Sequence, residues 1–196
     1  MSVTAFPRLP EHARLYIFGS SRPFTPADQP ALQRELDLFV GAWKAHGEPV
    51  SGAWEMVYDR FLLVAVDEEQ TALSGCSIDS LTRTVKSLES ALGLSLLEGG
   101  VVYYRAEDGI RRAGRDEFRR LAEAGTVNQA TRVFDNTLTT LRALRSGAWE
   151  VPAGTSWHAR AFPLGLGSPG PGSPGSHPLS PEANGRAASP TPLAPS

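Results

Sequence analysis

Phe61-Leu62-Leu63-Val64-Ala65-Val66 places six large or medium apolar residues in succession, with no polar position among them. A strand with one wet face alternates, so a continuous run reads as a central strand buried on both sides. Just before it, Ala53-Trp54-Glu55-Met56-Val57-Tyr58 alternates in part, as a neighbouring strand with one wet face would. Asp59-Arg60 between the two suits a tight hairpin turn, although it lacks the usual glycine. What precedes and follows this hairpin has to cover it.

Upstream, Leu15-Tyr16-Ile17-Phe18 is a short apolar strand ended by Gly19-Ser20-Ser21. Thr25-Pro26-Ala27-Asp28 reads as a helix start, with Thr25 as the cap and Pro26 in the first turn. Leu32, Leu36, Phe39, Val40 and Trp43 then recur at helical spacing, His46 falls in the last turn and Gly47 sits where a helix stop belongs. Downstream, Leu73 to Ser80 carries small and polar residues suited to a helix start, and Ile78, Leu81, Val85, Leu88 and Leu92 form one stripe up to Gly93. Val101 to Arg105 is the next strand.

The order strand, helix, strand, strand, helix, strand predicts an α+β fold of the ferredoxin-like, split βαβ type, with an antiparallel sheet and both helices on one face. The first strand and the Phe61 strand are expected at its centre as parallel neighbours. Both strand-to-helix turns would then open on one edge, with Cys76 near Ser20 and Ser21. The expected organisation is a flexible lead-in over 1–13, this core over 14–105, a small α/β extension over 106–162 and a disordered tail over 163–196. The extension comprises a helix over Asp116 to Ala124, a strand at Thr131 to Phe134 and a helix over Thr137 to Leu144 capped by Asn136. The tail is rich in Gly, Pro, Ser and Ala and cannot bury enough surface to offset its ordering entropy.

The chain has 196 residues, 41% of them hydrophobic and 20% charged, with a formal charge of −2. That balance favours neither nucleic acid nor an anionic membrane as a partner. No apolar run approaches the ~20 residues of a membrane span, and Met1 to Arg14 lacks the apolar stretch of a secretory signal, so a cytoplasmic location is expected. A single cysteine excludes an internal disulfide and a multi-cysteine zinc site. No metal and no cofactor is called for by any motif.

Cys76 is the first candidate for chemistry, as a thiol at a helix N-terminus. The competing reading is a small buried residue packed at the strand-to-helix joint. Asp79, three residues on, is either part of the site or a helix-start residue, and its charge works against thiol activation. His158 is the candidate base for Cys76, with Asp79, Asp135 or Glu150 to orient it. A binding reading uses Ser20, Ser21, Arg60, Trp157 and Arg160 as a pocket for a small anion or carboxylate, with guanidinium forks giving orientation. Trp54 and Tyr58 on the wet face of a strand are an alternative partner surface.

Gly75-Cys76-Ser77-Ile78-Asp79, Val133-Phe134-Asp135-Asn136, Trp149-Glu150-Val151-Pro152 and Ser156-Trp157-His158-Ala159-Arg160 together resemble a small uncharacterised bacterial protein family often labelled "ABC transporter ATPase". The likeness covers about residues 14 to 162 and implies a shared fold and site, and the label implies ATP hydrolysis. The chain itself contains no G-x-x-x-x-G-K-[ST] loop to hold the nucleotide phosphates, and Val66-Asp67-Glu68-Glu69 matches a Walker B strand end only in part. Val102 to Phe134 also resembles, loosely, the GYF-2 type of small domain. The tryptophan near the start of that type has no counterpart, so no peptide-binding residue carries over. The sequence thus yields a leading expectation of a protein that binds a small molecule or a protein partner between Cys76 and Trp157–Arg160. The alternatives are a cysteine-dependent hydrolase or transferase using Cys76 and His158, and an ATPase.

Overall fold

The computed structural model describes residues 6–69 and 72–166. In chain order its elements are β1 (Arg14–Gly19), α1 (Gln29–Ala42), β2 (Lys44–Ala45), β3 (Glu48–Pro49), β4 (Ser51–Val57), β5 (Phe61–Asp67), α2 (Gly75–Leu92), β6 (Val101–Ala106), β7 (Gly109–Gly114), α3 (Arg115–Glu123), β8 (Arg132–Phe134), α4 (Leu141–Arg145), β9 (Glu150–Pro152) and α5 (His158–Ala161). The fold is mixed α+β with three antiparallel sheets, of order β1-β5-β4, β2-β3 and β7-β6-β8-β9.

The apolar run is the middle strand of the first sheet, and its two faces feed two cores. Phe61, Leu63 and Ala65 join Leu15, Ala53 and Val57 against Tyr103, Phe134, Leu141 and Trp149 from the second half of the chain. Leu62, Val64 and Val66 join Leu32, Leu36 and Trp43 of the α1 region and Leu81, Val85 and Leu88 of α2. A third core packs Val102, Tyr104 and Val133, from the far face of the β6 sheet, against Phe118, Ala122 and Phe162. The layers are therefore helices, sheet, sheet, helices. With both faces covered, β5 takes the central position that its continuous apolar run requires.

The ferredoxin-like sandwich is not borne out. α1 and α2 do lie on one face of β1-β5-β4, as expected. However, β1 and β5 are antiparallel, from Arg14↔Val66 to Gly19↔Phe61, not parallel. The crossover through α1 leaves β1 and β4 parallel, and β5 turns back from β4 through Tyr58–Asp59, so β5 has to oppose both. Moreover, β6, expected as the fourth strand of this sheet, instead pairs with β7 and β8 in another. The expected boundary at 105/106 consequently runs through the β6–β7 hairpin.

Five local expectations also change. Phe6, Leu9 and Ala13, in the expected flexible lead-in, are buried between the sheets. α1 starts at Gln29, because the Asp28 carboxylate accepts from the Thr25 N–H at 2.7 Å and hydroxyl at 2.9 Å and holds Thr25–Asp28 as a separate turn. Trp43 ends α1 in an extended conformation, and His46-Gly47 forms a hairpin turn between β2 and β3, with φ of 52° and 87°. α4 is shorter than expected and is capped by Thr140, while Asn136 accepts the Trp149 indole N–H at 3.0 Å. Of the expected tail, Leu164 packs into the third core; residues 167–196 lie outside the described residues. No helix among the described residues is long and apolar enough to cross a membrane.

Candidate functional site

The antiparallel pairing separates residues that the sequence expectation had placed together. Gly19 lies opposite Phe61, so the Ser20-Ser21 turn sits beside the β4–β5 turn, and the Ser20 N–H donates to the Arg60 carbonyl at 2.8 Å. The Ser21 N–H donates to Ser95 just beyond the end of α2, and Arg22 donates to the Leu92 carbonyl at 2.7 Å. The turn is thus tied to the C-terminal end of α2. Cys76 is at the N-terminal end, roughly 25 Å away along a helix of this length.

Around Cys76 the local sequence does what its residue types suit. Ser74 is the N-cap of α2, and its hydroxyl oxygen accepts the Ser77 N–H at 3.2 Å. Gly93 closes the helix in the left-handed conformation. Cys76 is exposed, which overturns the reading of a buried packing residue. It borders an open cavity of about 590 Å3, whose walls include Phe39, Trp43, Lys44, His46, Ser77 and Ser80. Trp43 is fixed by its indole N–H to the Ser77 carbonyl at 3.2 Å, and the Ser77 hydroxyl donates to the Lys44 carbonyl at 2.9 Å. The β2–β3 hairpin is thereby pinned to the first turn of α2, which creates the cavity. Asp79 lies on the exposed side of α2 and is not among the lining residues.

His158 is elsewhere. It is 0% exposed and packs among Phe118, Phe162 and Trp157, the last stacked on it at 3.8 Å between ring centroids. Burial drives its pKa down to about 4, against a smaller opposing pull from Asp135, so the ring is neutral at pH 7. Nδ1 lies 2.8 Å from the Ser156 hydroxyl, whose own hydrogen goes to the Ala153 carbonyl at 3.1 Å. That arrangement puts the ring proton on Nδ1 and leaves Nε2 as a buried lone pair. Trp157 donates to Asp135 at 3.2 Å, and Arg160 is exposed on α5. Cys76 and His158 line different parts of the molecule and form no dyad. Likewise Arg60 and the Trp157–Arg160 segment lie on opposite faces of the β6 sheet, so Ser20, Ser21 and Arg60 stay together while Trp157 and Arg160 leave that group.

The sequence expectation missed Phe39, Trp43, Lys44 and His46 as site residues. Their signal was the His-Gly pair after Trp43, which suits a two-residue hairpin as well as a helix end. Tyr58 is half exposed, with Arg105 over its ring at 4.5 Å and Trp149 stacked beneath at 6.0 Å. Its residual neighbour Glu150 is saturated by Arg105 at 2.9 and 3.0 Å and by Arg132 at 3.2 Å. Among the described residues, His12, Asp67 and Glu69 bring their ligand atoms within 4.8 Å of one another on the surface, where His12 pairs with Asp67 at 3.0 Å. This places Asp67 and Glu69, from the partial Walker B likeness, in a surface cluster with His12. No family model, curated protein or solved structure matches the chain.

Proposed function

We propose that the protein binds a small molecule in the cavity at the start of α2, and that the ligand combines an aromatic or aliphatic body with an anionic group. The observation that carries this reading is the cavity of about 590 Å3 between α1, the β2–β3 hairpin and α2, a size within the usual range for small-ligand sites. Phe39 and Trp43 supply an apolar wall. Lys44 and the Gly75 and Cys76 amides at the N-terminal end of α2, which precede the first hydrogen-bonded turn, favour negative charge at the other side. Cys76 at the rim offers a thiol to the same space without a histidine from the Trp157–Arg160 segment. Binding is therefore favoured over a Cys76–His158 nucleophilic mechanism, and no glycine-rich phosphate loop supports ATP hydrolysis.

The test uses 8-anilinonaphthalene-1-sulfonate, an aromatic sulfonate, as the probe. Its fluorescence should rise on titration with the full chain, and bound probe should slow modification of Cys76 by a thiol reagent. Cys76→Phe, which fills the cavity from its exposed rim, should abolish the fluorescence rise, and Lys44→Glu should weaken binding about tenfold or more. A rise that persists unchanged in Cys76→Phe would place the probe elsewhere and overturn the reading.

A further inference from the structure

At the opposite end of α2, three side chains carry buried donor atoms without acceptors. Arg60 is 7% exposed, and its guanidinium makes one hydrogen bond, from Nη2 to the Ile110 carbonyl at 3.3 Å. Its Nε and Nη1 have no partner. Ser20 is 0% exposed and its hydroxyl is also unpaired. Arg112 keeps an unpaired buried Nε, while its outer Nη2 donates to Glu98 at the partly exposed edge.

These groups converge on Tyr103. The Arg60 guanidinium lies 6.0 Å from the centre of the Tyr103 ring, and the Tyr103 hydroxyl donates to the Ser20 carbonyl at 3.2 Å. Arg112 is directly opposite Tyr103 in the β6–β7 register, so both side chains leave the sheet on the same face. Ile110, whose carbonyl takes the Arg60 bond, is two residues along β7. The assembly depends on Gly19: a Cβ there would meet the Tyr103 ring at 2.4 Å.

The chemistry is one-sided. Two guanidinium groups, close enough to repel one another, share the Tyr103 neighbourhood with Ser20, and the carboxylate nearby, Glu98, is spent on the outer edge of Arg112. Burying an unpaired charge is strongly unfavourable, so native proteins pair it. Burial above all pulls the Arg60 pKa below its ordinary value, against an opposing pull from Tyr103 and with a smaller repulsion from Arg112 added. An oxyanion would supply both the missing acceptors and the missing charge.

We infer that Ser20, Arg60 and Arg112 form an oxyanion-binding site at the β1–β5 end of the first sheet, accepting a phosphate or carboxylate group from the Arg112 side. This site is separate from the Cys76 cavity and stands or falls independently of it. It gives a role to the part of the sequence expectation that the fold kept together, Ser20 and Arg60, and adds Arg112.

The test is thermal unfolding of the full chain at pH 7 in sodium chloride, sodium phosphate or sodium acetate at equal ionic strength. Phosphate at about 20 mM should raise Tm by roughly 3 °C or more over chloride, through preferential binding to the folded state. A rise in acetate in place of phosphate would identify a carboxylate as the ligand group. Arg60→Met should lose the anion-dependent rise while melting in chloride no lower than the parent protein, because the substitution removes an unpaired buried charge. Should Arg60→Met fail to fold, Ser20→Ala, which keeps both guanidinium groups, should at least halve the rise. Equal Tm in all three salts for the parent protein, or an undiminished rise in the variants, would overturn the assignment.

Discussion

His158 shows how one buried side chain ties stability to pH. Its folded pKa of about 4 lies below the ordinary 6.5. Between those values the unfolded chain binds the proton and the folded chain does not, so stability is lost as pH falls through that window. The group should contribute a loss of about 2 kcal/mol between pH 7 and pH 4.5. His158→Gln removes the titration, so the stability gap between variant and parent, measured by urea unfolding, should narrow at pH 4.5; a gap independent of pH would contradict the burial. Asp28 works with the same sign in a lower pH window. Arg22, bonded through both nitrogens at 2.7 and 3.0 Å, holds its carboxyl far below the usual carboxylate range, helped by the Thr25 N–H. Its stabilising effect is complete above the unfolded carboxylate pKa and fades as pH falls below it. Asp28→Ala should cost about 2 kcal/mol at pH 7 in chemical denaturation, because it frees the Thr25 turn and leaves Arg22 holding only carbonyls.

At the scale of elements, the tightest joint is between β1 and β6. Gly19 admits the Tyr103 ring, with ring atoms 2.4 Å from where a Cβ would stand. Gly19→Ala should therefore destabilise by roughly 2–3 kcal/mol. Combined with Tyr103→Ala it should cost less than the two single changes summed, since the clash disappears with the ring. Additive losses would mean that the two residues do not meet. The elements themselves were largely legible. β5 announced itself by six consecutive apolar residues, and α2 by a stripe ending at Gly93. The His46-Gly47 hairpin was hidden because the helical spacing of α1 runs on through Trp43, and periodicity cannot tell a buried residue after a helix from one within it. β7 was hidden because Gly109-Ile110-Arg111-Arg112 has neither alternation nor an apolar run: its arginines face a partner sheet and the surface. Which strands pair, and in which direction, depends on long-range contacts that no local pattern carries. The expectation that Cys76 lies near Ser20 therefore failed, whereas the adjacency of Ser20 and Arg60 survived.

The whole molecule is held together by the core between its two larger sheets. Phe61 of β5 lies 5.0 Å from Tyr103, 4.8 Å from Phe134 and 4.9 Å from Trp149, measured between ring centroids. Trp149 also stacks on Tyr58 and packs against Phe134 at 5.3 Å. A second tie is the bridge from Arg14 on β1 to Thr140, beside the Leu15 N–H to the Thr139 carbonyl at 2.9 Å. With the N-terminal turn at Phe6 and Leu9 entering the same core, neither half can open without exposing the aromatic residues of the other. Cooperative loss of both sheets follows, with one thermal transition in calorimetry instead of two. Trp149→Ala should lower stability by about 3–5 kcal/mol and shift that single transition as a unit. The sheets report on this separately, because Trp43 lies in the helix-covered face of the first sheet and Trp157 on the outer face of the second. If Trp149→Ala gave two resolved transitions, with the Trp43 region melting apart from the Trp157 region, the aromatic core would be a contact between independent units and not the centre of one.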